Sequence, residues 1–97
     1  MAVIHASPLR LRGVPDRLIK EYVAAAEAAW DDAALQLRGV DSAGWRPAIW
    51  LELKHPILAP RTITAMVGRE GRFGEVEAKT PAALRAALAK HLKGRLT

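Results

Sequence analysis

The sequence predicts an α+β domain: a long N-terminal helix, a three-stranded antiparallel sheet and a C-terminal helix, in the order α-β-β-β-α. Three observations carry that expectation. Apolar residues recur at three- and four-residue spacing from Asp16 to about Arg38. Apolar and polar residues alternate from Ala48 to Lys54, and two further β-type runs follow around a glycine turn. Thr80-Pro81 then opens a second segment, striped with leucine.

Residues 1–13 come before these elements and read as a flexible arm or a short strand. Leu9-Arg10-Leu11-Arg12 alternates as a strand does. Gly13-Val14-Pro15 turns the chain into the first helix, with proline near the first helical position and Asp16 at the positive end of the helix dipole. Leu18, Ile19, Tyr22, Val23, Ala26, Trp30, Ala33, Ala34 and Leu37 form one apolar face. Gly39 supplies a stop, and 40–44 is a polar connector.

In the first strand Ile49, Leu51 and Leu53 share one face, and Trp50, Glu52 and Lys54 share the other. The segment from His55 to Pro60 is expected to leave the sheet, because neither proline can donate to a ladder. Thr62–Val67 and Phe73–Lys79 are the second and third strands, joined by a turn at Gly68-Arg69-Glu70-Gly71. The final helix has a hydroxyl cap at Thr80 and proline at its first position, and it ends near Gly94. Both helices are expected on one face of the sheet, where their apolar stripes can be buried together. The 97 residues amount to one domain with one modest core.

Composition excludes several classes of function. With no cysteine there is no disulfide, no thiolate nucleophile and no cysteine-based zinc site. The N-terminus has neither the leading charge nor the apolar run of a secretory signal, and no segment approaches the ~20 apolar residues that span a bilayer. The expectation is therefore a soluble, cytoplasmic protein that does not engage membranes. His5, His55 and His91 lack local metal-ligand spacing, and Asp31-Asp32 project about 100° apart on a helix. Ser7 and Ser42 are the only serines, and neither has nucleophile-elbow context. Gly68–Gly74 is glycine-rich without the layout of a phosphate loop. No catalytic residue, metal or cofactor is expected.

Charge points toward binding. Of the net +5, residues 1–45 hold five Lys/Arg against six Asp/Glu, while residues 46–97 hold ten against four. No acid follows Glu77. Lys90 and Lys93 fall on the side of the last helix opposite Leu84, Leu88 and Leu92. With Arg69, Arg72, Lys79, Arg85 and Arg95 they are the candidate surface for nucleic acid or a nucleoprotein. A second surface, for protein, is offered by Trp50 on the strand face away from Ile49 and by Ile57-Leu58 in the proline-bracketed loop.

The order helix, three strands, helix resembles that of double-stranded-RNA-binding domains. His55 falls in the loop between the first two strands, which that family sets in the minor groove. The family's lysine cluster, at the start of the last helix, would fall on the uncharged Thr80-Pro81-Ala82-Ala83, and the first helix here is about twice too long. A long helix with a hairpin and a short helix is also similar to small accessory proteins of phages and mobile elements. That resemblance implies binding and inhibition of a host protein complex, or a homo-oligomeric (for example homodimeric) structural adaptor.

Overall fold

Ile19, Tyr22, Ala25, Ala26, Ala29, Trp30 and Ala33 lie on one side of a helix of 21 residues, Asp16–Gln36, and all are buried. The computed structural model describes residues 3–36, 48–55 and 57–96. In chain order the elements are β1 (Val3–His5), α1 (Ser7–Leu11), α2 (Asp16–Gln36), β2 (Ala48–His55), β3 (Ala59–Val67), β4 (Glu75–Ala78) and α3 (Pro81–Leu96). Leu37, the Gly39 stop and the 40–44 connector lie outside the described residues.

The fold is α+β, and of the two readings of residues 1–13 the short strand is the one found, which makes the sheet four-stranded. Its order is β1-β2-β3-β4, with β1 parallel to β2 and the other neighbours antiparallel. Val3, Ile4 and His5 pair with Ala48, Ile49 and Trp50, so the N-terminal segment supplies an edge strand. The strand-like alternation at Leu9–Arg12 proves helical instead. Leu9 is completely buried while Leu11 is 86% exposed. Residues two apart share a strand face but point to different sides of a helix.

Ile49, Leu51, Ile63, Ala65, Val67 and Ala78 form the inner face of the sheet. They join α2 and α3 in one core, into which α3 drives Leu84, Leu88 and Leu92, each at 0% exposure. Fully burying a leucine contributes roughly 1.5–3 kcal/mol. The alanines of α2 let the two helices lie close together. The opposite sheet face carries Trp50, Met66 and Glu75 in one row and Glu52, Thr64 and Glu77 in the next.

Three boundaries differ from the sequence reading. His55 and Pro60 belong to strands, because His55 pairs with Ala59 across a bulge. The pairing of β4 stops at Ile63, so the donor that Pro60 lacks is one no ladder would use. The return strand begins at Glu75 rather than Phe73, since the turn runs from Gly68 to Gly74 with positive φ at both ends. Finally, α3 passes through Gly94 to Leu96. A helical glycine costs only about 1 kcal/mol, which the buried leucine stripe outweighs. The helix start is as expected: Ala83 N–H donates to Thr80 Oγ1 at 3.1 Å and Leu84 N–H to the Thr80 carbonyl at 3.0 Å.

Candidate functional site

The same geometry that buries Leu84, Leu88 and Leu92 turns Lys90 and Lys93 to solvent, and both are exposed. Lys79 is exposed just before the helix, and Arg72 is exposed in the turn before β4. His91 fixes how these cations are arranged. Its Nε2 lies 2.7 Å from the Phe73 carbonyl, to which it donates, and its ring packs on Gly74. The end of α3 that carries Lys90 and Lys93 is thereby held beside the turn that carries Arg72, whose guanidinium stands 5.6 Å over the Phe73 ring. Lys79 lies at the other end, with about 18 Å of helix rise between Pro81 and Lys93. Arg72, Lys79, Lys90 and Lys93 have no ion-pair partner among the described residues.

Arg85 is different. Its Nε donates to Asp32 Oδ2 at 2.7 Å and its Nη2 to Oδ1 at 2.9 Å, a two-pronged strut between α3 and α2. Its charge is paired within the chain, at the solvent-exposed edge between the two helices. The side chains of Arg69 and Arg95 lie outside the described residues.

The strut should register on pH titration. The hydrogen bond from Arg85, aided by its charge and opposed by desolvation, holds the Asp32 carboxyl below its ordinary value. A carboxylate depressed on folding stabilises the fold above the unfolded value, about 3.9, and that contribution is lost as pH falls through the folded value. In an NMR titration Asp32 should protonate below the ordinary carboxylate range, and Arg85→Ala should return it to that range.

The apolar candidates do not converge. Trp50 is half-buried near the start of β2, stacked on His5 with ring centroids 3.9 Å apart and planes at 13°. It is thus partly covered by the N-terminal strand. Its indole Nε1 is buried without a partner, a loss of roughly 1–3 kcal/mol if dry. Ile57 and Leu58 sit at the far end of β2, 82% and 83% exposed. Their backbone amides both donate to His55 Nδ1, at 3.1 and 2.9 Å, so the apolar tip is held in one shape. His55→Ala is expected to speed amide exchange at Ile57 and Leu58 roughly tenfold, the equivalent of one hydrogen bond, with the global unfolding midpoint unchanged.

The two broad faces differ in charge. Glu52, Glu75 and Glu77 all stand on the sheet face away from the core, where Lys54 Nζ reaches Glu77 at 2.9 Å. That face repels phosphate, whereas α3 carries no carboxylate at all.

A cleft of about 590 Å³ opens where the α1–α2 turn, β2, β3 and the start of α3 meet. Arg12, Arg61 and Lys79 line it together with Leu18, Tyr22 and Ile63, and among the described residues no Asp or Glu does. Of these residues only Lys79 stood out in the sequence. The rest come from the α1–α2 turn, α2 and β3, and Leu18, read in the sequence as part of the buried apolar face, is 36% exposed.

Compared with family models, curated proteins and solved structures, the chain matches none. Its properties must be read from its own residues. Among the described residues no group of three His, Cys, Asp or Glu side chains could hold a metal ion, and no helix is long and apolar enough to cross a membrane.

Proposed function

We propose that this chain is a non-enzymatic binding module that engages nucleic acid, alone or within a nucleoprotein, along α3 and the adjoining turn. One observation carries the reading: Lys79, Lys90, Lys93 and Arg72 are exposed cations without ion partners, set along an element that has no carboxylate. Phosphate neutralisation by such groups gives affinity without base contacts. Arg85 drops out of the surface because Asp32 already holds it. The histidines also favour binding over catalysis as the role: His55 ties a loop, His91 ties a turn and His5 stacks on Trp50. The test is electrophoretic mobility of short DNA and RNA, single- and double-stranded, at low salt. Retardation of any of them supports the reading, and unchanged mobility of all four rejects it.

A second reading is favoured by the Ile57-Leu58 tip, which is apolar, exposed and held by His55. On this reading the tip docks a protein, either a host complex of the kind bound by phage-type inhibitors or a second copy of the chain. Ile57→Asp with Leu58→Asp should then abolish that association while leaving nucleic-acid mobility shifts intact. A wild-type chain that stays monomeric at high concentration would exclude the homodimer.

A further inference from the structure

The cleft between the α1–α2 turn, the β2–β3 hairpin and the start of α3 has a composition that the α3 surface does not explain. Its walls are apolar, with Leu18, Leu53 and Ile63 among them, yet Arg12, Arg61 and Lys79 stand around it. Those three cations have no ion-pair partner among the described residues. Clustering like charges beside apolar surface costs energy unless an anion joins them, and among the described residues no carboxylate lines the cleft.

Tyr22 is the second, independent observation. Only 2% of the residue is exposed, and its hydroxyl has no hydrogen-bond partner among the described residues. Trp50 Nε1 is the one side-chain polar atom there that is both sealed from solvent and unpartnered. The Tyr22 hydroxyl therefore keeps some contact with the outside, and Tyr22 is one of the residues that line the cleft. A buried phenol normally finds a partner, so an unpartnered one on a residue that lines a pocket is a candidate donor to a ligand. Burial and the neighbouring Glu21 hold the phenol above its usual range.

We propose that this cleft binds a small amphiphilic anion, an acyl or aryl carboxylate. Its apolar body lies against Leu18, Leu53 and Ile63, and its head group is held by Arg12, Arg61 and Lys79 with a hydrogen bond from Tyr22. The volume suits one small molecule. A nucleic-acid backbone would meet the cations but has no use for the apolar floor. This site is separate from the α3 surface except at Lys79, so Lys79 is left out of the test.

The test is a titration of the isotope-labelled full chain with decanoate below its aggregation range, followed by NMR. Decanol and acetate are the controls. Decanoate should shift the amides of Gly13, Leu18, Tyr22, Ile63 and Thr80 saturably, and both controls should bind at least about tenfold more weakly, since they lack the head group or the body. Arg61→Glu should weaken decanoate about tenfold or more; Arg12→Glu serves the same purpose if the first variant loses its near-UV signal. Tyr22→Phe should weaken binding several-fold with an unchanged urea midpoint, because the hydroxyl has no internal partner to lose. Absence of saturable shifts, equal affinity for decanol, or indifference to the charge reversals would overturn the proposal. So would a nucleic-acid duplex that moves the same amides and competes with decanoate.

Discussion

Gly74→Ala is expected to destabilise the protein by about 3 kcal/mol, a large part of the 5–15 kcal/mol that domains of this size possess. A Cβ at Gly74 would stand 2.5 Å from His91 Cε1 and 2.7 Å from Nε2, and the backbone there has φ of +98°, which L side chains rarely adopt. Backbone strain of this kind costs roughly 1–3 kcal/mol. The ring cannot step aside cheaply. Its Nε2 is bonded to the Phe73 carbonyl, and the helix behind it is anchored by Leu88 and Leu92. Moving it forfeits a hydrogen bond of about 1 kcal/mol. Urea unfolding of Gly74→Ala, His91→Ala and the double variant separates these contributions. In the His91→Ala background the glycine substitution should cost about 1 kcal/mol less. An equal cost in both backgrounds would mean that His91 does not anchor the turn.

Lys90→Glu with Lys93→Glu is expected to remove most nucleic-acid affinity at low salt while leaving the unfolding midpoint nearly unchanged. Both side chains are exposed and neither takes part in an ion pair, so stability has little to lose. Binding has much to lose, since two attractions to phosphate become two repulsions. The dependence of log K on log salt should flatten by about one for each lysine contact removed. Arg85→Gln should do the opposite: it breaks the strut to Asp32 and lowers stability, but changes affinity by no more than about twofold. If Arg85→Gln weakened binding as much as the lysine reversals, the division between strut and surface would fail.

Local chemistry made much of this legible in the sequence. The α2 stripe, the Thr80 cap, the leucine spacing of α3 and the glycine turn are all short-range signals, and each element lies where they point. What could not be read depends on distant partners. Val3–His5 is a strand only because Ala48–Trp50 lies alongside it. Leu9 and Leu11 satisfy a strand or a helix equally until burial separates them. Pro60 can enter β3 because β4 stops short, a fact of the sheet and not of the proline.

The same division holds at the candidate surfaces. Helical rotation placed Lys90 and Lys93 on the solvent side, and the absence of acids after Glu77 marked the segment. Nothing near Arg85 revealed that Asp32, 53 residues earlier, would claim it. Trp50 and Ile57-Leu58 read as one apolar group, but a β-strand separates its ends by its own length. The cleft was invisible for the same reason as β1: five separate segments build it.

The most direct measurement is the salt dependence of wild-type binding to a labelled nucleic-acid duplex, by fluorescence anisotropy. With Arg72, Lys79, Lys90 and Lys93 in contact with phosphates, log K should fall linearly with log salt at a slope of about −3 to −4. No binding at low salt, or a slope near zero, would contradict a phosphate-binding role for α3.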